Sequence, residues 1–222
     1  MLSSRRFYGL ICALLLALCG GAFAADGASV FEHPVTVATK ADIAHSLEQM
    51  TRYGVVVGDF KQTKAIKKLN REFVSTGTFS ISKVSGVVWK TQKPFPSELT
   101  VSDSSITERS VNGSVRTIST KDNPIFAEFS KVIKAMLFGN IAELEANFKL
   151  FYEGDSRSSD GRFRVGLVPR EKSMQKVIAN IVMDASKSLD NDAALSLLNR
   201  VVVTDADGNP VTYEFSNQTV SK

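Results

Sequence analysis

Histidine and cysteine are almost missing from this chain, with two of each in 222 residues. A metal centre needs several converging His, Cys or carboxylate ligands, and His33 and His45 are too few to suggest one. No metal and no cofactor is expected. His45 and Glu48 share a helical spacing but read as a solvated polar face. The chain also lacks a phosphate-cradling Gly-rich loop, a G-x-S-x-G elbow and any cysteine nucleophile beyond residue 19. No catalytic residue emerges, and the expectation is a protein that is not an enzyme. One alternative stays open: a secreted hydrolase with scattered Ser-His-acid members, since such a triad is recognised by geometry rather than spacing.

Long apolar runs are scarce too. The longest, Phe7 to Leu18, follows Arg5 and Arg6 and precedes Ala22-Phe23-Ala24, the pattern of a secretory leader cut after Ala24. It falls short of the about 20 residues that a membrane-spanning helix needs. Residues 1–24 are therefore expected to be a cleaved signal peptide and 25–222 a single exported domain. A rival reading lipidates Cys19, although Leu18 stands where a small residue is expected; it would make the protein membrane-tethered. Cys12 and Cys19 otherwise leave with the leader, so the mature chain has no disulfide and relies on an apolar core. Two of the 27 Lys and Arg residues leave as well, and the remaining 25 nearly balance 23 acids. That balance argues against a nucleic-acid partner.

What the chain does have is alternation. Thr39 and Asp42 suggest a helix start, with Ile43, Ala44, Leu47 and Met50 at helical spacing and Gly54 as the stop. From Val55 onward β-branched and aromatic residues dominate. Phe73, Ser75, Gly77, Phe79 and Ile81 fall on one face of a strand, Ser85-Gly86 turns the chain, and Val87 and Trp89 resume the alternation. Strands follow at Leu99–Val101, Ile106–Val111 and Val115–Ser119, the last two flanking Asn112-Gly113. Asn123-Pro124 opens a second helix rich in Phe126, Phe129, Ile133 and Met136, and Ile141 to Phe148 reads as a third. Further strands are expected around Leu150, Phe163, Ile181, Leu195–Thr204 and Val211–Phe215, the last pair flanking Asp205–Pro210. So many neighbouring strands imply a mainly β, α+β fold built on one large, curved antiparallel sheet.

Lys61, Lys64, Lys67, Lys68 and Arg71 form the strongest local charge signal. They read either as a solvated strand edge or as a docking patch for an anionic membrane surface or an acidic partner. No aromatics interleave with them as a nucleic-acid stacking platform would require.

The string Gly58-Asp59-Phe60-Lys61-Gln62, then Ser75-Thr76-Gly77-Thr78-Phe79, Gly86-Val87-Val88-Trp89 and Pro94-Phe95-Pro96, resembles the LolA-like periplasmic carriers of outer-membrane lipoproteins. Val203 to Phe215 is similar to that family's closing hairpin. The resemblance implies an unclosed β-barrel under a lid of short helices, with an apolar cavity for acyl chains. It implies a periplasmic, monomeric carrier that takes a lipid or lipoprotein from an inner-membrane donor complex to an outer-membrane acceptor. The lipidated-Cys19 alternative would be a tethered lipid acceptor of the same fold. Phe60, Phe73, Phe79, Trp89, Leu99 and Phe163 are then candidate cavity residues, and Phe126, Phe129, Ile133 and Met136 candidate lid residues. The family's Arg-Pro pair before the Gly and Trp, whose arginine is associated with lid closure, is absent; Lys83 is the nearest cation and lacks a guanidinium fork.

Overall fold

The computed structural model describes residues 29–50, 54–66, 69–82, 84–102, 104–119, 121, 135, 140–154, 161–187 and 196–221, with the backbone alone at 47–50, 187 and 196. Its strands are β1 (Val55–Ile66), β2 (Arg71–Ser82), β3 (Gly86–Lys93), β4 (Ser97–Val101), β5 (Ser105–Ser110) and β6 (Val115–Ser119). They continue with β7 (Phe148–Gly154), β8 (Phe163–Pro169), β9 (Ile178–Lys187), β10 (Ser196–Asp205) and β11 (Pro210–Ser221). All lie in one antiparallel sheet of order β6-β5-β4-β3-β2-β1-β11-β10-β9-β8-β7. Two meanders, β1–β6 and β7–β11, are thus joined where the first strand pairs with the last. The sheet is an unclosed barrel with β6 and β7 at its free ends.

Turn chemistry sets the strand boundaries. Gly113, at φ +80°, follows Asn112, whose side chain accepts from the Ser114 N–H at 3.0 Å. The Asp205–Pro210 turn is held by the Asp205 carboxylate, which accepts from the Asn209 backbone N–H at 2.8 Å and from its side-chain amide at 3.0 Å. Gly86 has φ +81°, and a Cβ there would overlap the Val101 carbonyl oxygen, so a side chain is excluded on two counts.

The inner face is read directly from the register. Pairs such as Ile81–Val87–Val101–Ile106–Ile118 and Val211–Val203–Ile181–Leu167–Leu150 lie on one side and build a single apolar cluster. Ile43 of α1 (Val37–Met50) and Leu144 of α2 (Ile141–Asn147), both fully buried, close over it. Helix α1 packs on β10 and α2 on β7, so the described helices cover the β7–β10 half. A third, one-turn helix, α3 (Lys172–Gln175), links β8 to β9. The sequence pattern did not anticipate it.

Helix α1 begins earlier than expected. Thr36 and Thr39 exchange side-chain bonds with each other's backbone N–H, at 2.9 and 3.3 Å. This is a capping box placed one turn ahead of the Thr39–Asp42 pair. Residues Ser29–Glu32 form a 3-10 turn whose Val30 packs on the outer face with Phe151 and Val182. Residues 33–35 then bond to the free edge of β7, Tyr152 N–H donating to His33 and Val35 N–H to Leu150. The helix expected from Asn123, with Phe126, Phe129, Ile133 and Met136, lies outside the described residues, save Ala135, which is buried in the inner cluster. The leader also lies outside them, and among the described residues no helix is long and apolar enough to cross a membrane.

Candidate functional site

Trp89, the chain's one tryptophan, sits at the centre of an aromatic cluster on the concave face. Its ring lies 4.0 Å from that of Phe60, 5.5 Å from Tyr213, 6.0 Å from Phe215 and 6.1 Å from Phe79, centroid to centroid. These rings come from β3, β1, β11 and β2. In a flat sheet β3 and β11 would stand three spacings apart, about 14 Å. Contact between Trp89 and Tyr213 therefore requires the sheet to curl towards this face and the long side chains to lean across it.

Gly77 makes the closest of these contacts possible. It stands between Phe60 on β1 and β3, at a register shift in the β2–β3 ladder. A Cβ at that point would overlap the Lys90 carbonyl oxygen and come within 2.9 Å of the Phe60 ring. With no side chain there, Phe60 crosses β2 and lies against Trp89. The edge-to-face arrangement of Phe79 on Phe215, at 5.2 Å and 73°, completes a rigid wall of π-faces.

Polar groups enter this wall along β1. Phe60, Gln62 and Lys64 alternate onto the same inner face. Gln62 donates to the Tyr213 hydroxyl at 3.4 Å. Burial pushes that hydroxyl well above its ordinary range, so it stays protonated. Lys64, only 2% exposed, sits opposite Phe73 on one side and Val211 on the other. Across the barrel, the hydroxyls of Ser46 and Tyr152 stand 3.5 Å apart.

The expected site residues thus divide. Phe60, Phe79 and Phe163 are buried on the inner face, and Trp89 and Leu99 pack partly buried against the inner cluster. Phe73 is half-buried beside Lys64. Phe163 is not part of the wall; it lies on β8 near Tyr152, at 6.4 Å between rings. Phe126, Phe129, Ile133, Met136, Lys67, Lys68 and Lys83 lie outside the described residues.

Lys64 requires a correction. It belongs to the interior and not to an exposed basic patch, because it shares the period-2 parity of Phe60, whereas Lys61 has the opposite parity. Lys61 is exposed and bonds to Glu214 at 3.0 Å, and Arg71 is exposed at the start of β2. The same parity would also have found Tyr213 and Phe215, which alternate with Thr212 and Glu214 in the closing hairpin.

No cluster of three or more potential metal ligands occurs among the described residues, and His45 is exposed on α1. An open groove of about 420 Å³, lined by Val57, Asp59, Thr78, Val88 and Lys90 among others, lies on the outer side of β1–β3, behind the aromatic wall. The concave wall, by contrast, consists of flat apolar rings, with Gln62 and Lys64 farther along β1.

Comparison with known proteins gives a family match. The model of the family described as outer membrane lipoprotein carrier protein LolA matches residues 53–222. Among solved structures, one similar chain is a DUF1329 family protein from Desulfovibrio piger, 8% identical, with a TM-score of 0.46 over 83% of this chain and 92% of that one. Another is a LolA superfamily protein from Nitrosomonas europaea, 9% identical, with a TM-score of 0.44 over 82% of this chain and 93% of that one. No curated protein sequence matches.

Proposed function

The chain belongs to the LolA family of outer membrane lipoprotein carrier proteins, and from that premise we propose that it is a periplasmic carrier that binds acyl chains without catalysis. The observation that carries this reading is the Trp89 cluster, five aromatic rings gathered on the concave face of an unclosed barrel. An acyl chain exposed to water costs about 0.8 kcal/mol per methylene, on the order of 10 kcal/mol for a long chain. A protein that lines a curved sheet with flat apolar rings removes most of that cost. It does so by contact alone, so release needs only a better apolar surface at the destination.

In this reading the leader directs export, the cargo is the acylated part of a lipid or lipoprotein, and donor and acceptor sit in the inner and outer membranes. Residues Phe126, Phe129, Ile133 and Met136 supply the lid. Arg71, with Lys67 and Lys68, supplies a cationic rim for docking to a membrane or an acidic partner. Lys83 takes the place of the lid arginine as a single point charge.

The test is mass spectrometry of protein purified from its own periplasm under mild conditions. Long-chain acyl lipids should co-purify, and their occupancy should fall in Trp89→Leu, a substitution that keeps the position apolar but removes the central ring. A protein that is ligand-free in every mild preparation would overturn the carrier reading.

A further inference from the structure

One end of the β1–β6 meander presents apolar side chains where surface turns usually present polar ones. Phe95, between Pro94 and Pro96 in the β3–β4 turn, is 76% exposed. Val111 in the β5–β6 turn is 69% exposed, and Val115 at the start of β6 is 51% exposed. Phe95 is the one aromatic among the large exposed hydrophobics of the described residues. Exposed hydrophobics scattered singly need no explanation. These are not scattered.

Register puts them together. Ser97 pairs with Ser110, so Phe95, just before the one, and Val111, just after the other, leave the sheet at the same rung. Val115 stands opposite Arg109. The two turns are two strand spacings apart, about 10 Å. Alternate turns of a meander share an end, and here the β1–β2 turn adds Leu69, just ahead of the exposed Arg71. The prolines on either side of Phe95 fix their own φ and stiffen its turn.

The charge around these tips is mostly of one sign. Residues 91–97 and 108–116 hold Lys93, Arg109 and Arg116, all exposed, against one acid, Glu108, which stands opposite Arg116. Farther along β3 and β4, Lys90 and Glu98 meet at 3.2 Å and offset each other. Apolar tips ringed by cations complement a surface that is apolar beneath and anionic above, as a bilayer of acidic lipids is. A stable protein interface needs about 800 Å² on each side, more than these side chains present.

We propose that Phe95, Val111 and Val115 enter the interface of an anionic bilayer while Lys93, Arg109 and Arg116 meet its headgroup phosphates. The protein then docks reversibly by the turns at this end of its first meander. The inference goes beyond cargo binding and uses none of the concave wall. With so few side chains entering, attachment is weak and salt-sensitive.

The experiment sediments the purified protein with vesicles of phosphatidylglycerol and phosphatidylethanolamine, and with vesicles of phosphatidylcholine alone. Wild type should bind the anionic vesicles at low salt, and about tenfold more weakly to the neutral ones or in high salt. Phe95→Ser should lose about tenfold in partition to anionic vesicles, the scale of one buried aromatic side chain. Val84→Ser, at a fully exposed valine in the β2–β3 turn of the opposite end, should lose nothing. Trp89→Leu should bind as wild type does. A loss in Trp89→Leu equal to that in Phe95→Ser would mean that the lipid is taken as cargo, and would overturn the docking surface. Wild type that ignores anionic vesicles at low salt would overturn it without any variant. Dimerisation that Phe95→Ser abolishes, with no vesicle binding, would overturn it in favour of a second copy of the chain. None of these results alters the co-purification of acyl lipid that tests the carrier reading.

Discussion

At Gly77 the absence of a side chain decides where two aromatic rings can lie. The Phe60 ring occupies the space above it, and the neighbouring Lys90 carbonyl leaves none beside it. Gly77→Ala therefore has no small adjustment available and must displace β3 or expel Phe60 from Trp89. The expected loss is about 1–3 kcal/mol, the usual range for overpacking. It should appear in urea unfolding as a lower midpoint with an unchanged slope. A variant with the wild-type midpoint would show that the ladder accommodates the methyl group. The sequence was informative here as far as parity was followed. Phe73, Gly77, Phe79 and Trp89 alternate cleanly, and their faces are those found. Lys64 was misplaced because its charge, shared with Lys61, Lys67, Lys68 and Arg71, outweighed its phase with Phe60. A charged residue inside a strand is placed by phase first, since a one-residue shift would move the whole strand to the other face.

Elements were legible where turn residues bound them. Asn112-Gly113 and Asp205–Pro210 mark hairpins because their side chains supply the bonds that the reversed backbone needs. The start of α1 was legible only to within a turn, since Thr36 and Thr39 both qualify as caps and only their reciprocal bonding decides between them. The three-residue pairing of His33–Val35 with β7 left no periodic signal, being too short to alternate. It matters nonetheless, because it covers part of an exposed sheet edge. The hairpin β10–β11 offers the sharpest test at this scale. The Asp205 carboxylate accepts from both the backbone N–H and the side-chain amide of Asn209, a residue only 8% exposed. Asp205→Ala removes this carboxylate from the turn, and a loss of about 1–3 kcal/mol is expected. Thermal melting would read it as a lower transition temperature; an unchanged one would mean that other acceptors replace the carboxylate.

For the whole molecule, the arrangement of the two meanders matters more than any one strand. The β1–β11 ladder is their shared seam, running from Val55–Ser221 to Lys64–Val211. Phe60, Phe79 and Trp89 lie on one side of it and Tyr213 and Phe215 on the other, so the candidate site exists only when the seam is closed. A chain ending before Pro210 would lose not an edge strand but the centre of the sheet. It should show no cooperative unfolding transition and none of the near-ultraviolet dichroism of packed aromatics. A truncated protein that melts cooperatively at the wild-type temperature would show instead that the meanders can join without β11.

That seam also sets a clock. Lys61 and Glu214, which meet across it, are 153 residues apart in the chain. At a synthesis rate of about 5–20 residues per second, β1 waits roughly 8 to 30 s after its own emergence before its central partner exists. Throughout that interval the polypeptide cannot complete its barrel, however favourable its hairpins. Among the described strands, the one that locks the two meanders together is the last to be made.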